Sequence, residues 1–412
     1  MFSDSPDVVN RSFRYLLISR ALRSSALIFV TLSLPLYLHF LHFSLVFISL
    51  IYIPIILFNV VLVLILGRLG DKIGYSKILI LGEVFPVVGL LLLALSTNIY
   101  VIATGAIIAG ITGGAGGMRG AFSPGMTAFV ANNYPGEGNR VNRLSLLTAT
   151  ASFFSIFGGL FLSLYGIISS AIGILLFYRV FFIISFLLVF GSLLALSRLH
   201  EYKRPKKTTR IMKKASFKYL LRIILPNSIN AAAIGIAMPL LPLFFELKFH
   251  VDPGAVGNIY TIAYAATAIG SFTSGKFING RIDSLKMASI AHILQGALFI
   301  IIAFTPFLFI ATAIYVGRMA VAGIGSPMRG AINVRGIDKE DYGTSTSIQG
   351  VSGRGSQLTT GASGYLMDLN FAFPLLIGGA MQAAGGVLYY VLVKSWHPEK
   401  NSERRSETVK TN

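Results

Sequence analysis

Eight arginines stand inside stretches of sequence that are otherwise apolar: Arg20, Arg23, Arg119, Arg179, Arg222, Arg318, Arg329 and Arg354. One acid, Glu83, shares those stretches. A guanidinium is permanently charged and presents its donors as a planar fork, which suits carboxylate and phosphate oxygens. At bilayer depth it costs at least about 2.5–3.5 kcal/mol to place. One carboxylate cannot neutralise eight such groups. Either backbone carbonyls and water solvate the remainder, or an anion does. Arg222 and Arg20 lie within two turns of a span end, from which a long side chain can snorkel to the surface. Arg119, Arg318, Arg329 and Arg354 lie deeper. Glu83 sits about 9 Å into its span at the helical rise per residue. It can carry a coupling proton, or it can pair with Arg140 or Arg143 near the start of the fifth span.

The elements that position these residues are membrane helices. The 412 residues are 54% hydrophobic and only 12% charged, against roughly 25% charged in a soluble domain. Mean hydropathy is +0.72. Apolar residues come in blocks near 20 long, the length that spans a hydrocarbon core of about 30 Å as a helix. The period-two alternation of barrel strands is missing. The expected fold is all-α and integral to the membrane. It has about 12 spans, near 14–38, 44–66, 77–96, 100–131, 144–166, 172–196, 217–243, 254–275, 287–305, 307–332, 344–366 and 371–393.

Charge placement orients the spans. With Arg14, Lys77 and Lys218 at the span edges counted to the adjoining loops, Lys248 is the only Lys or Arg in the odd-numbered loops, whereas the termini and even-numbered loops carry 26. By the positive-inside rule, both termini and the long central loop are cytoplasmic, and the natural site is the plasma membrane. The net charge of +19 is thereby explained without a nucleic-acid partner. The central segment 198–216 reads as a basic linker between an N-terminal half, 1–197, and a C-terminal half, 217–395. Its nine Lys/Arg up to Lys218 also suit anionic lipid headgroups. Residues 396–412 read as a polar, disordered tail. Single cysteines at Lys206 and Ser96 should label from opposite faces of the membrane. Labelling of both from outside the cell would contradict this topology.

The two halves resemble each other. Met118-Arg119-Gly120-Ala121 recurs 210 residues later as Met328-Arg329-Gly330-Ala331. Leu34-Pro35-Leu36 recurs at an offset of 207, and Gly67-Arg68 has a counterpart in Gly275-Lys276 at 208. Near-constant offsets point to a duplication, and six spans per half give both halves one orientation.

Between the second and third spans the chain reads Gly67-Arg68-Leu69-Gly70-Asp71-Lys72-Ile73-Gly74-Tyr75-Ser76-Lys77. Glycines permit a tight turn and close helix approach. An aspartate at a membrane surface can accept from exposed N–H groups at a helix start. The segment resembles the signature of the major facilitator superfamily through Gly67, Gly70, Asp71, Lys72 and Gly74. It departs from it at Tyr75 and Ser76, where the family places a basic residue; Lys77 can supply that charge. The second-half counterpart, Gly275 to Arg281, is degraded.

The resemblance implies a secondary transporter working by alternating access, in which the first and fourth spans of each half line a central cavity. Arg20 and Arg23 share one helix face. Asn227 and Asn230 correspond to them at offset 207. Arg119, Arg318 and Arg329 fall on the other two cavity spans, and Arg354 lies on span eleven. These residues are the candidate substrate contacts, with Glu83 the candidate proton carrier and the Gly67–Gly74 motif a conformational gate. The expected substrate is a small organic or phosphorylated anion, and the expected state a monomer in the bilayer.

Two other readings stand beside it. One is multidrug efflux, although Ser155 occupies the proline position of the antiporter signature ahead of Gly158-Gly159. The other is a non-transporting sensor, for which the central loop and tail leave little room. With no cysteines there is no disulfide or thiolate site. His39 and His42, the only closely spaced histidines, read as interfacial. No P-loop, no metal site and no enzyme signature are present, and no cofactor is expected. The N-terminus reads as uncleaved, the first span directing insertion.

Overall fold

The computed structural model describes residues 6–111, 125–126, 129–130, 133–134, 137–201, 212–278, 283–338 and 341–395. At Arg68 and Asp71, and at residues 6–10, 137–142, 274–278 and 342–343, it describes the backbone alone. Among these residues there are no strands, and nine helical stretches are long and apolar enough to cross a membrane.

The first half contains α1 (Pro6–Phe40), α2 (Leu45–Ile73), α3 (Tyr75–Leu95), α4 (Ile99–Ala109), α5 (Glu137–Ser163), a short α6 (Tyr165–Ile172) and α7 (Ile174–Leu196). The second contains α8 (Lys214–Ala237), α9 (Leu241–Phe249), α10 (Pro253–Ile278), α11 (Ser284–Phe304), α12 (Leu308–Arg335) and α13 (Tyr342–Ser356). A 3-10 segment (Gln357–Ala362), α14 (Ser363–Leu369) and α15 (Phe373–Lys394) complete it.

Local chemistry sets the boundaries. Polar side chains take up free N–H groups at helix starts. Ser44 accepts from Phe47, Asn98 from Tyr100 and Asp283 from Leu285, at 3.3, 2.9 and 2.9 Å. Gly74, with φ of +98°, makes the one-residue break between α2 and α3 that a side chain would strain.

Three spans depart from the continuous helices expected from sequence. Span four stops at Gly110, whose left-handed backbone donates back to Ala106 and Ile107 and ends α4. Span seven breaks into α8 and α9 around Met238–Leu240. Span eleven passes from α13 through the 3-10 turn into α14. The sequence also did not anticipate α6, which lies in an odd-numbered loop.

Call the end of the bundle that holds Pro6 and Lys394 the basic end, and the other the neutral end. At the neutral end one apolar core draws on both halves, from Ile28, Tyr37, Tyr52 and Phe182 to Phe244, Tyr260 and Tyr315. At the basic end the cores separate. Phe13, Leu16, Leu79, Leu147 and Leu196 pack within the first half, while Tyr219, Leu285, Met328 and Tyr389 pack within the second. Among the described residues the halves therefore share one apolar core at the neutral end and keep separate cores at the basic end.

The shared core depends on close backbone approach. A Cβ at Gly257 of α10 would overlap Ser163 of α5, and one at Gly364 of α14 would overlap the Leu45 carbonyl of α2. Small residues allow such contacts between membrane helices. Gly257→Leu should prise the halves apart at the neutral end. Spin labels at Leu41 and His250 would then move apart, and an unchanged distance would show that this contact does not hold the halves together.

Candidate functional site

In the first half α1 and α3 both pack on α7. Arg20 and Arg23 are on one face of α1 and are 1% and 2% exposed. The face-sharing follows from their spacing. Arg20 does not snorkel to the surface as its position near a span end had suggested. Glu83 of α3 is fully buried and forms an ion pair with Arg23. Ser192 of α7 donates to the second oxygen of Glu83 at 2.6 Å and lies 2.8 Å from the Ser19 hydroxyl. Arg20 adds its field to the same carboxylate. The partner expected for Glu83, Arg140 or Arg143, is thus replaced by Arg23. The side chain of Arg140 lies outside the described residues. Arg143 instead stacks its guanidinium over Phe13 and Tyr134, at 4.3 and 4.8 Å from the ring centroids.

In the second half Arg318 of α12 is 3% exposed. Its guanidinium lies 3.5 Å from the centroid of the Phe299 ring and donates to Gln382 Oε1 at 3.1 Å. Gln382 in turn donates to Gln295 at 3.3 Å. Two soft sulfur contacts, Met238 and Met319, complete its surroundings at 3.9 and 3.8 Å. Its Nε has no hydrogen-bond partner, and among the described residues no carboxylate pairs with it. Among the described residues, a buried cation so placed is solvated by an aromatic face, an amide oxygen and two sulfurs, with no counter-charge.

Nearer the basic end, Arg329 lies one helix from His292 of α11 and reaches its Nε2 at 3.2 Å. Asn333 Oδ1 accepts from Asn227 at 3.1 Å and from Tyr389 at 2.8 Å. Gln349 reaches the Asn333 carbonyl at 3.4 Å. Asn230 is buried with its Oδ1 unpartnered. Arg354 donates to the Gly350 carbonyl of its own helix at 3.3 Å.

Arg179 and Arg222 serve the frame. Arg179 donates to the Ala94 and Leu95 carbonyls at the end of α3, at 3.1 and 2.6 Å, and Arg222 reaches Ser395 at 3.1 Å. Arg119 lies outside the described residues.

In the loop signature, the Gly70 backbone lies against the Tyr75 ring, and Lys72 is exposed. The Asp71 side chain lies outside the described residues. Glu201, just past α7, accepts from the Ser76 N–H at 2.8 Å and so caps α3. This capping role at the point where the signature departs from its usual form was not read from sequence.

The residues that sequence reasoning missed are His292, Gln295, Phe299, Asn333, Gln382 and Tyr389. One signal for His292 was present. The 21-residue helices α3 and α11 begin at Tyr75 and Ser284, an offset of 209, which sets His292 opposite Glu83. Each half thus places a titratable side chain in its third span beside an arginine. Among the described residues no group of side chains could hold a metal ion.

A twelve-span helical bundle of two like halves, with arginines in its interior, defines a class of membrane transporters. The chain matches the Major Facilitator Superfamily over residues 16–229 and again over 223–412. It belongs to that family, and it is a transporter and not an enzyme. Solved structures share the fold at low identity. A bacterial homologue of the human lysosomal transporter Spinster, in an inward-facing and unoccupied conformation, is 13% identical with a TM-score of 0.64, covering 96% of this chain and 100% of that one. The human organic anion transporter MFSD10 (TETRAN) is 13% identical with a TM-score of 0.63, covering 95% and 100%. The POT family transporter PepTSo is 11% identical with a TM-score of 0.69, covering 93% and 98%.

Proposed function

We propose that this protein is a secondary transporter that moves a small organic or phosphorylated anion by alternating access. The observation that carries the reading is the buried Arg318, a guanidinium with no carboxylate partner among the described residues. Arg318, Arg329 and Arg354 all stand on helices of the second half, which makes its interior positive. A positive, low-dielectric interior favours an anionic solute, and the arginine fork gives that solute a geometry to meet. That a fold relative is named an organic anion transporter agrees with this reading.

The separated cores at the basic end and the shared core at the neutral end are the pattern of a bundle open on one side. With the basic end in the cytoplasm, that side faces inward, and rocking of the halves about the site would open the other. The transporter acts as a monomer in the plasma membrane. Flux tests the reading: labelled lactate or sulfate should enter proteoliposomes down an imposed gradient, and other anions should compete for it. Competition by lipophilic cations but not by anions would overturn it.

A further inference from the structure

His292 and Arg329 present a chemical arrangement that a purely structural pair does not need. Arg329 has no acceptor atoms, so in the 3.2 Å contact its N–H donates and His292 Nε2 must accept. His292 is therefore the neutral tautomer with its proton on Nδ1. That Nδ1 is buried and has no hydrogen-bond partner, in a residue only 5% exposed. Among the described residues, the other charged or titratable groups that act on the ring are Arg318, also of α12, through its field, and Tyr389 of α15, whose ring lies 6.3 Å away. Among the described residues no carboxylate faces it.

Adding a proton at Nε2 would set two donors against each other and place a third positive charge beside two. The proton can be accommodated only if Arg329 turns away from the ring and an anion enters between them. In that arrangement Nε2–H and the guanidinium both donate to the anion, and the charge that opposed the proton is offset.

We propose that His292 and Arg329 together form a site that takes up one proton and one carboxylate, sulfate or phosphate group at the same time. The site rests on the anion-transport reading above and adds the coupling ion to it. The proton comes from solution and binds the Nε2 lone pair vacated by Arg329. Neither ligand binds well alone, so each must raise the affinity for the other by the same factor. The arrangement places coupling at His292. Glu83 holds no comparable vacancy, since Arg23 and Ser192 already occupy its two oxygens.

The test uses full-length purified protein with lactate, benzoate and sulfate, whose charges are constant between about pH 5.5 and 8. If one proton binds with each anion, affinity should rise about tenfold for each unit that pH falls. His292→Gln keeps an acceptor for Arg329 but takes no proton, so its anion affinity should be flat across that range. Arg329→Gln should bind weakly at every pH. A second measurement needs no variant: adding sulfate to the weakly buffered wild-type protein should remove about one proton from solution per anion bound. Anion binding without proton uptake, or a wild-type slope that survives in His292→Gln, would overturn this site and leave the anion-transport reading standing. Failure of all three probes to bind at any pH would overturn that reading and this site with it.

Discussion

Glu83→Gln should lower the stability of the protein by about 3–5 kcal/mol, the usual cost of removing one partner from a buried ion pair. The pair joins α1 to α3, and Ser192 brings α7 into the same network. Neutralising Glu83 removes the ion pair from Arg23, which stays charged and 2% exposed with Arg20 on the same face of α1. The double variant Arg23→Gln, Glu83→Gln removes both charges and should recover much of the loss, because the cost lies in keeping a buried charge after its ion pair to Glu83 is gone. Melting of the detergent-solubilised variants measures this. A Glu83→Gln protein that melts with the wild type would show that the pair does not hold the first half together.

Arg329→Ala should weaken binding of the transported anion by ten- to hundred-fold. The residue is expected to supply a charge-assisted hydrogen bond worth about 1.5–3 kcal/mol, and about 1.4 kcal/mol is a factor of ten. Arg119→Ala should behave likewise, since Arg119 is the duplicated counterpart of Arg329. Lysine should rescue only in part, because an ammonium lacks the fork. An arginine with a structural role would give the opposite pattern, with lowered stability and intact affinity in the folded fraction. Ligand titration read beside melting curves separates the two, and unchanged affinity in both alanine variants would remove these residues from the site.

Much of the fold was legible because it is written in long apolar blocks and in the bias of Lys and Arg between loops. Both are properties of local sequence acting against a uniform solvent. The interruption of span four was not, because glycine serves two purposes. Gly105 lets α3 approach α4, whereas Gly110 turns the chain left-handed, and composition does not distinguish them. The shared face of Arg20 and Arg23 followed from their spacing, but the helix they face depends on the rotation of α1 within the bundle. That rotation selected Glu83 as the partner of Arg23. Arg318 shows the same limit. Its neighbours Phe299 and Gln382 come from two other helices, and no spacing rule links them to it. His292 has no other histidine near it in sequence, so spacing does not single it out. Only the alignment of α3 with α11 raises it to the counterpart of Glu83.

The central claim is that the interior of this bundle receives an anion. A thermal-shift screen of the purified protein against anions, sugars and lipophilic cations tests it most directly. A ligand present at about 100 times its Kd stabilises the folded state by about 2.7 kcal/mol. The account predicts that small carboxylates or phosphorylated anions raise the melting temperature, and that Arg329→Ala reduces the shift. Stabilisation by lipophilic cations or sugars, with none by any anion, would contradict it.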